Sequence, residues 1–300
     1  MKKLLFKQGK YIFTGVLFSI LWSSASVATK WGLEVSQPFV LAIVRFAIAG
    51  AIMLFISHVV LRHRIPLGKE WRQLLTYGIL NIGVYLGLYV LAMQHVSAGL
   101  GSLFPAASPV FVSLISAIAY QQKIKIKTFL SLGLCLTGII IASYPLLLKS
   151  YASPIGLILL LLSMLSYSFG SVYFSNKRWA DLDILTINGW QTILGGVLLL
   201  PLMVIYYDNT LNDFNIKFLS AVGWLAIVVS IGAVQLWLYL IKRDAVKSSF
   251  WLFLCPIFGF VMAWSLMNEP INFFTVFGVS LVILGLYTVQ KSILTNSNRD

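Results

Sequence analysis

Long apolar runs alternate with short polar or charged connections along the whole chain. Because a helix needs about 20 apolar residues to cross a bilayer, each run predicts a membrane span. The connections are too short to form a soluble domain, and the longest, from Tyr207 to Lys217, predicts a polar surface loop. The pattern therefore predicts an all-α polytopic membrane protein with ten transmembrane helices, at 11–29, 39–61, 73–93, 97–119, 128–148, 154–175, 184–206, 217–240, 247–267 and 272–290.

The composition agrees with this pattern. The 300 residues are 59% hydrophobic and 10% charged, whereas soluble domains are about 45–50% apolar and about 25% charged. The formal charge of +13 does not indicate nucleic acid as a partner, because the basic residues form short scattered clusters rather than one patch. The predicted partners are therefore the lipid bilayer and a small-molecule substrate.

Lysine and arginine are placed asymmetrically between the predicted spans. One side of the membrane would hold nearly all of them, and the other side only Lys30, Lys149 and Lys217. Since basic residues favour the cytoplasmic side, this bias predicts a multi-pass protein of the cell inner (cytoplasmic) membrane with both termini in the cytoplasm. The first apolar run carries a site resembling a signal-peptidase site at 26–28, but it is long enough to span, so we expect it to be retained.

The stretch 97–122 recurs as 244–269. Setting Pro109 on Pro256 aligns Ser102 with Ser249 and Phe104 with Trp251, and Gly138 then falls on Gly285 at the same spacing. Each half contributes five spans, and five is odd, so the second copy enters the membrane from the opposite side. The sequence thus predicts two inverted five-helix repeats, at 11–148 and 154–290, with a site between the copies.

Several short elements of the chain match one family. They are Leu21-Trp22-Ser23-Ser24 in the first span, Pro38 followed by Arg45-Phe46, Ser97-Ala98 to Pro109-Val110-Phe111, its copy from Ala245 to Pro256-Ile257-Phe258, and Asn268-Glu269-Pro270. In this order the chain resembles the EamA-type ten-helix permeases of the drug/metabolite transporter superfamily. One departure is Gln122, which stands where the first copy usually has a glutamate.

The resemblance implies a secondary transporter that works by alternating access and usually exports small metabolites, such as amino acids or their derivatives. It also implies a central cavity formed mainly by spans one, three, four, six, eight and nine, with spans five and ten at the periphery, where a homodimer contact is left open. Import by the same fold and a non-transporting membrane scaffold are the alternatives. An intramembrane enzyme is the weakest reading, and neither a cofactor nor a metal site is predicted.

Polar and aromatic side chains inside spans are the candidates for binding substrate, since such residues usually face the bundle interior. Asn81, Tyr85 and Tyr89 recur every four residues and so share a helical face, as do Gln235 and Tyr239. For each residue the alternatives are an interfacial anchor or a bond within its own helix. The candidates are Trp22, Asn81, Tyr85, Tyr89, Ser102, Phe104, Ser108, Tyr167, Gln235, Trp237, Tyr239 and Trp251.

Arg45 is the charged residue that lies well inside a predicted span. Three roles are open for it: its head group could reach outward to water, bind a substrate carboxylate, or form a gating or structural ion pair with Glu34 or Glu269. The prolines Pro105 and Pro109 each remove a backbone donor, so they predict freed carbonyls in the middle of the fourth span.

Overall fold

The structure, a computed structural model, describes residues 2–119, 121, 126–149, 151–179, 181–243 and 250–297. Within these ranges it is helical, with no strand. Gln122 and Ser249, which the repeat alignment singles out, lie outside the described residues. The helical segments are α1 Lys2–Leu33, α2 Pro38–Val60, α3 Lys69–Met93, α4 Ala98–Ala119, α5 Ile126–Leu148, α6 Pro154–Asn176, α7 Ile184–Tyr206, α8 at 216–243, α9 at 250–267 and α10 Phe273–Ser297.

Eight of these segments, α1 to α8, contain helices long and apolar enough to cross a membrane. The apolar parts of α9 and α10 are shorter, at Trp251–Met267 and Phe273–Thr288. The predicted all-α polytopic membrane architecture is confirmed at this level. The count of ten spans and the inversion of the repeats stay predictions.

Helix α4 is interrupted where its prolines predict a break. One helix ends at Ala106 and the next begins at Ser108, and the turn at Ala107 is closed by its N–H donating to the Phe104 carbonyl at 3.0 Å. Pro109 cannot donate a backbone hydrogen bond, so the regular helix cannot run through this point. Helix α9 has a related change, because the 3₁₀ turn Phe250–Phe253 precedes the α-helix that contains Pro256.

Three segments contain π-helical turns, at Phe55–Val60 in α2, Ile79–Val84 in α3 and Trp224–Ala233 in α8. A π-turn shifts the hydrogen-bond ladder by one residue and often occurs at functional sites. In α3 the Tyr85 N–H reaches back to the Leu80 carbonyl, which also accepts a hydrogen bond from the Ser166 hydroxyl of α6 at 2.7 Å. The irregular turn is thereby held by a neighbouring helix.

The chain divides into two compact units. Unit one comprises the described residues within 1–27, 96–154 and 228–300, and unit two comprises those within 28–95 and 155–227. Each unit therefore takes helices from both predicted repeats. Helix α3 packs extensively against α7 in unit two. Three other extensive helix contacts are α5 with α10 and α4 with α9 in unit one, and α2 with α7 in unit two. All three are pairs that the predicted repeat relates to each other.

Glycines let the α5 and α10 backbones approach closely. A Cβ on Gly138 would lie 2.5 Å from the Gly278 carbonyl, and one on Gly285 would lie 2.7 Å from the Cys135 sulfur. Gly138 and Gly285 are repeat partners, and each faces the other's helix. This is the small-residue packing that membrane helices use, and Cys135 is buried in it.

Two groups of side-chain contacts join segments near the helix ends of unit two. At one end, Gln37 accepts from the Asp208 N–H and the Asn212 side chain, both at 2.8 Å, and Glu34 pairs with Lys217. The second group joins the start of α7 to the end of α2, where Trp190 donates to His58 at 3.0 Å. In each group the connected loops belong to the same predicted side of the membrane.

Candidate functional site

Three tryptophans that the sequence predicts to bind substrate lie together in unit one. Trp22, Trp237 and Trp251 pack against a buried core that contains Phe18, which is 1% exposed. The Phe18 ring stacks on Trp237 with centroids 5.0 Å apart and lies 5.7 Å from Trp22. We call Phe18 and these three tryptophans the indole cluster. It brings predicted site residues from α1, α8 and α9 together.

Serine hydroxyls of α1 hold α9 beside this cluster. Ser19 donates to the Trp251 carbonyl at 2.7 Å, and Ser23 donates to the Cys255 carbonyl at 2.9 Å. A Cβ on Gly15 would lie 1.9 Å from the Trp251 indole, so the missing side chain makes room for that ring. The hydroxyls thus join two helices as well as bonding within α1, where Ser23 also reaches the Ser19 carbonyl at 2.6 Å.

Two side-chain donors of unit one have no hydrogen-bond partner among the described residues. They are the Trp251 indole N–H and the Gln235 amide N–H, and both nitrogen atoms are buried. Tyr239 follows Gln235 by one helical turn and is partly buried. Buried polar groups usually have a hydrogen-bond partner. These two donors have none within the protein among the described residues, so a bound ligand could supply the acceptor.

The predicted α4 residues take part in helix packing. Ser102 donates to the Gly99 carbonyl at 2.7 Å, and its hydroxyl lies where a Cβ on Gly259 of α9 would stand. Phe104 is 2% exposed and Ser108 is 6% exposed. In this structure all three residues are buried, and Ser102 contributes to the contact between α4 and α9.

Glu269 caps α4 from the end of α9. One carboxylate oxygen accepts from the Ala98 N–H at 2.5 Å and the other from the Gly99 N–H at 3.0 Å. Ser97 completes the cap by accepting from the Leu100 N–H. A carboxylate at a helix N-terminus is stabilised both by these bonds and by the helix dipole. Glu269 is thus a helix cap in this structure, and its ion pair with Arg45 stays a prediction.

Three tyrosines that the sequence predicts to bind substrate lie together in unit two. The rings of Tyr85 and Tyr167 are 5.0 Å apart between centroids, and those of Tyr85 and Tyr89 are 6.2 Å apart. Tyr85 is 7% exposed and Tyr89 is 6% exposed, while Tyr167 is partly buried. We call them the tyrosine cluster. Arg45 of α2 lies within electrostatic range of Tyr85 and Tyr89.

Arg45 is partly buried and shares a narrow cleft with Tyr89, Leu86 and Thr29. Of its two suggested acidic partners, Glu34 is exposed and pairs with Lys217, and Glu269 caps α4. Both carboxylates thus have other bonds, whereas Arg45 lines the same cleft as Tyr89. Unit two also has a groove of about 500 Å³ that is lined in part by Gln37 and Tyr206.

Two polar residues of α7 were missed by the sequence reasoning. Asn81 donates to Gln191 at 3.0 Å, and Gln191 donates to Asn188 at 2.5 Å, so three amides form a chain between α3 and α7. Asn188 and Gln191 are three residues apart in an apolar span, which was a usable signal because polar groups in a span tend to face inward. We call these three residues the amide chain.

Outside the spans, charge pairing is ordinary. Arg64 donates two hydrogen bonds to Glu70, at 2.7 and 2.8 Å, and the carboxylate raises the pKa of the Arg64 guanidinium. The Thr210 hydroxyl and N–H lower the pKa of Asp208. Within the described ranges, no cluster of three or more His, Cys, Asp and Glu side chains is arranged to hold a metal ion.

Comparison with known proteins identifies the kind of protein that carries this arrangement. The profile of the EamA-like transporter family matches residues 9–144 and again residues 154–290. The chain is 26% identical to an uncharacterized transporter of Archaeoglobus fulgidus over 90% of this chain and 95% of that protein. It is 28% identical to the uncharacterized inner membrane transporter YedA of Escherichia coli, over 91% of each chain.

A solved crystal structure shows the same fold. It superimposes with a TM-score of 0.65 at 16% identity, covering 97% of this chain and 99% of that chain. The family profile matches most of the sequence and confirms the resemblance drawn from the short elements. The protein is a member of the EamA-like transporter family, within the drug/metabolite transporter superfamily.

Proposed function

We propose that the protein is a secondary transporter that moves a small metabolite, of the amino acid or amino acid derivative class, across the cytoplasmic membrane. Movement is by alternating access between the two inverted repeats, and the direction is export. The family membership supports a membrane transporter. The substrate class, direction and mechanism are the proposed part.

The observation that carries this proposal is the position of unpartnered polar atoms. Among the described residues, buried side-chain atoms without a hydrogen-bond partner include Asn81 Oδ1, Gln235 Nε2 and Trp251 Nε1. All three belong to residues that the sequence predicts to line the transport pathway. An unsatisfied buried polar group costs about 1–3 kcal/mol. A ligand that forms hydrogen bonds with these atoms would remove that cost, which favours its binding.

The surroundings of these atoms suit a metabolite with an apolar body. In unit one, one of the two donors belongs to Trp251 of the indole cluster, and in unit two Asn81 lies on α3 together with Tyr85 and Tyr89 of the tyrosine cluster. Binding sites for small molecules are mostly apolar or aromatic with a few well-placed polar groups. A membrane scaffold has no need of such groups in its spans.

The test is counterflow exchange of a metabolite panel in proteoliposomes that contain the full-length protein. Gln235→Ala, Tyr85→Ala and Trp251→Phe should each lower the exchange rate about tenfold, because each removes a group that contacts substrate. Membrane expression should be unchanged. Export is then tested by loading substrate into cells and comparing efflux in wild-type and Tyr85→Ala strains.

Matched controls use aromatic residues that face outward. Trp264 lies on α9 like Trp251 but is 57% exposed, and Tyr144 on α5 is 54% exposed, so Trp264→Phe and Tyr144→Ala should keep wild-type exchange. Wild-type rates in all three site variants would overturn the site. Absence of exchange for every solute in the wild type would favour the scaffold, and uphill uptake with no efflux would favour an importer.

A further inference from the structure

We infer that the amide chain of unit two is a subsite for an uncharged group that both donates and accepts hydrogen bonds, such as a primary carboxamide. The inference rests on the proposed function, since it names a chemical feature of the transported solute. It adds Asn188 and Gln191, both on α7, to the residues that contact that solute.

Burial gives the first step. Gln191 is 3% exposed and Asn188 is 9% exposed, inside an apolar span. Three amides cannot be placed in this setting without cost unless they are bonded. The chain satisfies its interior, yet Asn81 Oδ1 and Asn188 Nδ2 remain buried without partners among the described residues. The unsatisfied atoms are thus the two ends of the chain.

The chemistry of a chain of amides gives the second step. Each amide offers an oxygen acceptor and a nitrogen donor. Asn81 donates to Gln191 and Gln191 donates to Asn188, which leaves an acceptor at Asn81 and a donor at Asn188. Reversing all three amides exchanges the two ends but again leaves one donor and one acceptor. Whichever way the chain runs, its ends are of opposite kind.

This property selects the ligand. A carboxylate only accepts and an ammonium group only donates, so each can satisfy one end of the chain. A carboxamide has both functions and can satisfy both ends in either orientation. The hydrogen-bond partners within the chain are uncharged amides, so a charged group would also lose its hydration without a counter-charge there.

The backbone beside Asn81 is irregular and is approached by a glycine of a neighbouring helix. Asn81 lies in the π-helical turn Ile79–Val84, which displaces it from the regular helical position. A Cβ on Gly170 of α6 would be in ordinary contact with Asn81, at 3.6 Å from its Cβ, so the glycine leaves room for one methyl group beside that residue.

The experiment compares three probes of equal length that lack an amino acid backbone: pentanamide, pentanoate and pentylamine. Each is titrated at pH 8 into the full-length protein in nanodiscs, and the unfolding midpoint is followed. We expect pentanamide to raise the midpoint at about tenfold lower concentration than the two charged probes, because it alone satisfies both ends. Gln191→Leu should abolish this preference.

Gln191→Glu is a nearly isosteric variant that keeps the proposal testable if Gln191→Leu does not fold. An ionised carboxylate at the centre accepts from both neighbouring amides, so both open ends become acceptors. The preference should then move from pentanamide to pentylamine. Val197→Ala, on the same helix at a position that is 52% exposed, should leave the wild-type order of probes unchanged.

Three results would overturn the subsite. The first is an equal response to all three probes in the wild type, and the second is a pentanamide preference that survives in Gln191→Leu. The third is no response to any probe, which is expected if ordered water fills the ends of the amide chain. The proposed function fails separately. If no metabolite is exchanged but pentanamide protects in a Gln191-dependent manner, the subsite stands without transport. If exchange occurs without an amide preference, only the subsite is wrong.

Discussion

Glu269 illustrates how a single residue can serve the fold at a place where a functional role is expected. It is 6% exposed, and both of its oxygens accept from N–H groups at the start of α4. Those N–H groups have no partner within their own helix. The carboxylate therefore ties the end of α9 to the beginning of α4.

Glu269→Gln should destabilise the protein by about 1–2 kcal/mol, because it removes the charge at the helix end and replaces one acceptor with a donor. The measurement is the unfolding midpoint of the purified protein in detergent. Glu34→Gln is the matched control, since its ion pair with Lys217 is exposed and such pairs contribute about 0–1 kcal/mol. Equal effects of the two variants would contradict the capping role.

The residue type predicts some of the hydrogen bonds that serine side chains form. Serines inside spans were expected to bond within their own helix or to a neighbour, and Ser102 and Ser23 do so. Which serines join two helices could not be foreseen, since Ser19 and Ser23 acquire this role only where α9 approaches α1. The roles of Asn188 and Gln191 likewise depend on Asn81 reaching them from another helix.

At the scale of helices, close packing depends on glycines that face specific neighbours. Helices α4 and α9 meet at Gly99 and Gly259, where added Cβ atoms would lie 2.4 Å from the Phe260 ring and 1.8 Å from the Ser102 hydroxyl. Since lipid is as apolar as the helix surfaces, this fit supplies much of the attraction between the helices. Gly99 of α4 thus packs against an aromatic ring, whereas Gly259 of α9 packs against a serine, so the two repeat-related helices do not make equivalent contacts.

Gly259→Ala should therefore lower stability by about 1–3 kcal/mol, as expected for overpacking, with a matching loss of folded protein in size-exclusion chromatography. Ser102→Gly in the same chain should restore much of the loss, because it removes the atoms that the new methyl meets. Gly133→Ala in α5 is the control, as no atom lies within 4 Å of the added Cβ. A Gly259→Ala protein as stable as the control would refute the close contact.

For the whole molecule, the distribution of basic residues predicts the orientation in the membrane. The contacts of unit two agree with the alternation behind that prediction, because Glu34 and Lys217 come from different connections assigned to the same side. The two family-profile matches, at 9–144 and 154–290, also divide the chain near its middle.

Orientation can be tested by labelling introduced cysteines with an impermeant maleimide in intact cells. Cys135 and Cys255 are both buried, so they should give little background. Asn209→Cys lies in an exposed connection predicted to be outside and should be labelled, whereas Lys177→Cys, also exposed, should be labelled only after lysis. The reverse pattern would place the termini outside, and labelling of both in intact cells would break the alternation.

The sequence by itself determined the membrane architecture and the family. Both follow from properties that are local along the chain: apolar length, the placement of lysine and arginine, proline positions such as Pro109, and short elements in a fixed order. A helix across a bilayer satisfies its own backbone, so its existence depends little on its neighbours. This is why most helices were placed within a few residues.

Only the tertiary structure decided which side chains meet. It placed Trp22, Trp237 and Trp251 around Phe18 in one unit and Tyr85, Tyr89 and Tyr167 together in the other. It also placed Ser102 in a packing contact and added Gln191 to the candidate site. These outcomes depend on how one helix is rotated and spaced against another, and that depends on glycines and small side chains far apart in the sequence. No local pattern carries that information.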